Sequence, residues 1–337
     1  MKTAKHPSIR LASLQFSSTG LVNEGSSPLH QCAAFIDSVL RGIGQVMLQN
    51  NSLTGLLFIA GIFYNSLLAG AAVLLGTVVS TLSAQLLGIP RAHIREGLYG
   101  FNGALTAIAL LLFLQPTPQA WLYVILASAC SSVLMAAMVQ FLSPWKIPAL
   151  TAPFVFTTLL FILAGVYFGQ LQTSSALPSA AFAQEGFAES AITAAHLLEG
   201  VLVGIAQVFF QENVITGALF LAGLFVSARM AGIAALIGSL IGLITAWTLG
   251  AQETTLHAGI FGFNAVLTAL VFGAGRYRLN ATSVFYAGLA TLVSSIACAA
   301  LMTLFKPFGL PAMTLPFVIV TWIFLLASPL FRGLKEA

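Results

Sequence analysis

The chain has 337 residues, 58% of them apolar and only 7% charged, with a formal net charge of +4 and a mean hydropathy of +0.98. A soluble domain carries about 25% charged residues, so this composition excludes a water-soluble globule. The surplus positive charge speaks to loop placement about a membrane and not to nucleic acid, which is not expected as a partner.

In chain order, residues 1–28 carry Lys2, Lys5 and Arg10 without the apolar core of a secretory signal, and read as a cytoplasmic leader. Six apolar stretches follow, at roughly 30–48, 53–68, 69–88, 97–115, 119–142 and 147–171. Several fall short of the roughly 20 residues that cross a bilayer. The stretch from Gly97 opens on Gly97, Gly100, Asn102 and Gly103, poor residues to face lipid, so its start is expected to be re-entrant or buried. About five spans and one half-length helix are therefore expected over residues 29–171, the first membrane repeat. Residues 172–190, rich in Ser, Ala and Gln, read as the loop between repeats; 191–331 read as the second repeat and 332–337 as a tail, all in one integrated membrane domain.

The second half repeats the first. GIGQVMLQNNSLTGLLFIAGIF at 42–63 returns as GIAQVFFQENVITGALFLAGLF at 204–225, with 13 of 22 positions identical. YGFNGALTA at 99–107 returns as FGFNAVLTA at 261–269, and IPALTAPF at 147–154 returns as LPAMTLPF at 310–317. Both termini carry basic residues, including Arg332 and Lys335, while no Lys or Arg lies between Lys146 and Arg229. The termini are thus expected in the cytoplasm and the linker outside. An odd number of spans per half then makes the repeats inverted, related by a pseudo-two-fold axis in the membrane plane. Arg91 and Arg95 fit poorly, since the simplest layout puts them outside.

Catalytic and metal signatures are missing. Cys32, Cys130 and Cys298 show no CxxC or His/Cys spacing and read as buried free thiols; there is no HExxH and no phosphate-cradling loop. Neither an enzyme nor a cofactor is expected. None of the five histidines recurs at the repeat offset, so a twinned pore-histidine pair is unsupported. The nine acidic residues mostly flank the apolar stretches. Asp37 and Arg41, at i,i+4, read as a structural ion pair or a gate; Asp37 aligns with Glu199, but Arg41 aligns with Val203.

What the repeat duplicates is polar and uncharged: Gln45 with Gln207, Asn102 with Asn264, Thr106 with Thr268, and Thr151 with Thr314. Such groups at membrane depth serve either as helix glue or as a solute path. The threonines lie between prolines, Pro148 and Pro153 in one copy, Pro311 and Pro316 in the other. The first proline of each pair suits a helix start; in a helix already formed, the second would free the carbonyl of Ala149 or Ala312. Phe101 and Phe263, with Leu105 and Leu267 at i+4, are either core packing or two walls of a flat slot.

These motifs resemble the urea transporter (urea channel) family, in its bacterial form, over about residues 29–330; the duplicated LPxxTxPF signature is specific to it. The resemblance implies a homotrimer in the cell's inner or plasma membrane, each protomer holding its own pore between inverted repeats and conducting urea without ion coupling. Thr151 and Thr314 would accept from urea in the narrow middle, helped by backbone carbonyls. Phe101, Phe263, Leu105 and Leu267 would sandwich it, and Gln45 and Gln207 would face the wider sites. Asn102, Asn264, Val46, Val208 and Glu212 are further candidates. The alternatives are an ion-coupled transporter of a small neutral solute, and a channel for ammonium or another small amide.

Overall fold

The computed structural model describes residues 9–11, 14–16, 28–181 and 194–336. Most of the leader, and residues 182–190 of the 172–190 loop with Glu185 and Glu189, lie outside these residues. Apart from the antiparallel pair Ile9–Leu11 and Leu14–Phe16, every longer element described is a helix. The first repeat runs α1 Pro28–Gln45, α2 Ser52–Asn65, α3 Leu67–Leu86, α4 Arg91–Arg95, α5 Phe101–Phe113, α6 Pro118–Leu142 and α7 Ala152–Tyr167. The second repeats it as α8 Ala194–Ala206, α9 Val214–Ser227, α10 Arg229–Thr248, α11 Glu253–His257, α12 Gly262–Gly273, α13 Ala281–Phe305 and α14 Leu315–Ala327. The protein is an all-α polytopic membrane protein.

The spans are assembled partly from pieces. Among the described residues, α3, α6, α10 and α13 are each long and apolar enough to cross a membrane, and Leu197–Phe209 with Val214–Ser227 forms a fifth candidate, broken by a 76° bend. The 13 residues of α5 rise only about 20 Å, against a hydrocarbon core of about 30 Å. The breaks after α1 and α8 have the same local cause in both copies. Leu48 (φ 61°) and Phe210 (φ 57°) adopt the left-handed backbone, and the next residue folds its amide back: Gln49 Nε2 donates to Met47 O and Gln211 Nε2 to Phe209 O, both at 2.8 Å. Asn51 and Asn213 then cap α2 and α9. Glycine is required just beyond, where a Cβ on Gly55 or Gly217 would fall on the carbonyl of Leu40 or Leu202.

Reciprocal contacts relate the two halves. Thr54 Oγ1 donates to Gly223 O at 2.8 Å, and its counterpart Thr216 Oγ1 donates to Gly61 O at 2.9 Å. As the index rises along α2 it falls along α9, so these helices are antiparallel about a two-fold. Phe58 and Phe220, also counterparts, meet at that axis with ring centroids 4.8 Å apart. A two-fold that reverses helices crossing the membrane lies in its plane, so the repeats are inverted.

Within each repeat two short helices start side by side. Asn102, at the start of α5, bonds to Leu150 and Phe154 around the start of α7. At their far ends Gln115 N donates to Gln172 O and Ser174 N to Phe113 O. Hence α5 and α7 are parallel, and α12 and α14 are their inverted counterparts.

Two expectations are revised. Arg91 and Arg95 share a cavity with His30 at the start of α1, so they lie at the N-terminal end of the bundle and not opposite it. The chain runs through α1 and α2 and returns as α3, which brings α4 back beside the start of α1. Of the cysteines only Cys298 is buried; Cys130 is partly buried and Cys32 is exposed, because Cys32 sits in the first turns of α1, where little packs on it.

Candidate functional site

The two threonines meet. Thr151 Oγ1 and Thr314 Oγ1 are 2.7 Å apart, and both residues are buried, at 2% and 1% exposure. Each stands immediately before its helix, with Pro153 or Pro316 in the first turn. It is therefore the second proline of each pair that enters the helix, where its missing N–H would have had no partner anyway. The expected freed carbonyls are consequently not found: Ala149 O accepts from Ala152 N and Ala312 O from Leu315 N, both at 3.2 Å. One lone pair on each carbonyl is used in that turn.

Asn102 and Asn264 hold the threonines from behind. Asn102 Oδ1 accepts from Phe154 N at 3.0 Å while its Nδ2 donates to Leu150 O at 3.4 Å. Asn264 does the same to Phe317 N, 3.1 Å, and Met313 O, 3.2 Å. Leu150 and Met313, just before the threonines, have φ of 53° and 48°, a strained backbone for residues with side chains. Each asparagine thus caps a neighbouring helix and secures the strained turn that aims the hydroxyl. Both are fully buried.

Outward from this centre, Leu105 and Leu267 are fully buried and Phe101 is 5% exposed, whereas Phe263, Gln45 and Gln207 are partly exposed. Gln45 Nε2 donates to Glu96 O at 2.9 Å and Gln207 Nε2 to Ala258 O at 2.7 Å, so each amide presents its oxygen as the end left for a donor. Val46 and Val208 are buried and Glu212 is exposed. The twinned bonds trace one line: Gln45 to the Glu96 carbonyl, the chain on to Phe101 and Asn102, Asn102 to the Thr151 turn, across to Thr314, and back through Asn264 to Gln207. None of the side chains of Gln45, Phe101, Leu105, Thr151, Thr314, Leu267, Phe263 and Gln207 ionises.

Sequence reasoning passed over Leu48 and Phe210. Both are partly exposed, three residues after the glutamines, and Phe210 crosses to the first repeat to pack edge-on against Phe113 and Phe154, at 6.1 and 6.2 Å. Their alignment in the repeat was a signal, but leucine opposite phenylalanine hid it. Arg41 pairs with Asp37 at 2.8 Å and donates from Nη1 to Asn50 O at 3.0 Å and to Asn50 Oδ1; arginine and aspartate are both buried, and the pair ties α1 to the bend before α2.

The electrostatics follow from the parallel helices. Four helix N-termini, those of α5, α7, α12 and α14, converge on the threonine pair. Each carries a partial positive charge of about half a unit, so the centre is unfavourable to a cation and favourable to the oxygen end of a neutral dipole. Fold and site together define a polytopic membrane protein with an uncharged, buried polar centre between inverted repeats.

The urea transporter family model matches residues 36–329. Urea transporter 1 of Ovis aries is 30% identical over 301 residues, covering 88% of this chain and 78% of the relative; that of Rattus norvegicus is 31% identical over 298 residues, covering 87% and 77%. The chain belongs to the urea transporter family, a family of transport proteins and not of enzymes.

Proposed function

We propose that this protein conducts urea passively across the membrane, along the line from Gln45 through Thr151 and Thr314 to Gln207. The observation that carries this reading is the buried hydroxyl pair in an uncharged path. Urea is planar and neutral, with four N–H donors and one acceptor, and leaving water costs several kcal/mol unless those donors find partners. The glutamine oxygens at each mouth and the two threonine oxygens at the centre offer neutral acceptors, which replace water without binding so tightly as to stop conduction. Phe101 with Leu105, and Phe263 with Leu267, act as walls that favour a flat solute, with Leu48 and Phe210 completing the approach. Val46, Val208, Asn102 and Asn264 support the lining from behind, and Glu212 stands at a mouth. Sodium and protons are held off by a dry centre ringed by helix N-termini.

The same reading places both termini in the cytoplasm of a cell whose inner or plasma membrane holds the protein. It is supported by the basic residues gathered at one end: Arg91 and Arg95 beside α1, Lys146 after α6, and Arg276 and Arg278 against the tail, where Arg278 N donates to Lys335 O. Lys306 lies against the inter-repeat segment, its carbonyl accepting from Ala181 N. A homotrimer with one pore per protomer is proposed on the family resemblance.

Uptake of labelled urea into proteoliposomes without any ion gradient tests the function. Uptake that equilibrates urea across the membrane supports it. Flux that appears only when a proton or sodium gradient is imposed points instead to a coupled transporter, and competition by ammonium or small amides tells whether another solute is preferred.

A further inference from the structure

The turn that carries Thr151 is held by donors from three places. Leu150 O accepts from Asn102 Nδ2 at 3.4 Å, and Ala149 O from Ala152 N at 3.2 Å. The carbonyl before them, that of Pro148, accepts from the indole Nε1 of Trp322 at 2.9 Å, and this donor crosses from the other repeat. Trp322 lies on α14, about two turns beyond Thr314. One helix therefore grips the turn at two points, Thr314 Oγ1 at Thr151 and Trp322 Nε1 at Pro148. The first contact fixes where the turn lies against α14, and the second fixes how it is rotated. In the inverted copy Met313 O and Ala312 O keep the equivalent partners, Asn264 Nδ2 and Leu315 N. The counterpart of Trp322, however, is Leu159, whose side chain has no donor, so the fold closes the 311–314 turn without a bond from that position.

We propose that Trp322 is a positioning residue that sets the direction of the Thr151 hydroxyl and leaves Thr314 to its own turn. This deepens the reading of Thr151 as a solute contact and rests on it. Leu150 holds a left-handed backbone at φ 53°, a conformation that persists only where its surroundings enforce it, and any rotation of that turn swings the hydroxyl at its end. An indole N–H away from water needs an acceptor; here the acceptor is the carbonyl three residues before the threonine, so the bond that satisfies the indole also fixes the turn. Trp322 is only partly buried, and phenylalanine in its place removes the donor without opening a deep cavity.

Urea flux into proteoliposomes, compared across Trp322→Phe, Thr151→Val, Thr314→Val and the two double variants that contain Trp322→Phe, tests this. Trp322→Phe is expected to slow flux about threefold in the wild-type and Thr314→Val backgrounds. Once Thr151 is valine the same change should alter flux little, since no hydroxyl is left to aim. Any other pattern overturns the proposal: an equal loss in every background makes the indole merely structural, and a loss that vanishes only with Thr314→Val places its action on its own helix. Amide exchange supplies a measurement that needs no solute. Trp322→Phe should speed exchange over residues 148–155 more than over 311–318, and equal changes in the two segments, or none, overturn the proposal. Thermal melts check that the variants are folded, and Trp322→Leu, the residue of the other copy, serves if the phenylalanine variant is not. A wild type that passes urea only under an ion gradient, or passes another solute instead, defeats the functional reading; the cycle then runs on that flux and judges Trp322 separately.

Discussion

Thr151 and Thr314 stand 163 positions apart in the chain and share a 2.7 Å hydrogen bond at the centre of the protein. Counterparts in an internal repeat can touch each other only on the axis that relates them, so this bond marks the axis. Phe58 and Phe220 mark it a second time. Equivalent surroundings on the two sides of the threonine pair follow from that placement.

Valine in place of Thr151 or Thr314 keeps the shape and removes one hydroxyl. Each single change is expected to slow urea flux about fivefold, the worth of about 1 kcal/mol of hydrogen bonding, measured by stopped-flow light scattering on proteoliposomes. Because the hydroxyls are partners, the double valine variant should lose less than the two effects added together. Strict additivity would mean that they do not act as a pair.

Trimming Phe101 or Phe263 to alanine should loosen the preference for flat solutes. The measurement is the ratio of urea to bulkier amide permeation in the same vesicles. Ratios unchanged from wild type would return both rings to ordinary core packing.

Asn102→Ala and Asn264→Ala each remove a helix cap and release a strained carbonyl. A loss of about 1–3 kcal/mol in stability is expected from each, read as a lower melting temperature, with flux falling because the neighbouring threonine is no longer aimed. Undiminished melting temperature in both variants would show that the caps are dispensable.

Replacing Arg41 by valine, the residue that occupies its counterpart at position 203, strands the buried carboxylate of Asp37. Removing one member of a buried pair costs about 3–5 kcal/mol. The double variant Asp37→Leu/Arg41→Val removes both charges and should recover most of that loss. If the double variant melts no higher than the single one, the arginine matters chiefly through Asn50.

Much of this was legible without a structure. Composition alone set lipid as the solvent, since 7% charged residues cannot clothe a soluble surface. The duplication, the inverted relation of its halves and the twinned Gln, Phe, Asn and Thr were visible because a repeat filters a sequence for what both copies need. The glycine-rich start of α5 announced a segment hidden from lipid. Other features had no local signal. A side chain that caps a helix 50 residues away, as Asn102 and Asn264 do, looks, in sequence, like any polar residue at membrane depth. Which proline enters the helix depends on how the Thr151 turn packs, and the side on which Arg91 and Arg95 lie depends on α3 returning the chain to the start of α1. Periodicity and composition fix which residues avoid water and which positions are paired; only the packed chain decides how the paired polar groups spend their hydrogen bonds on the protein.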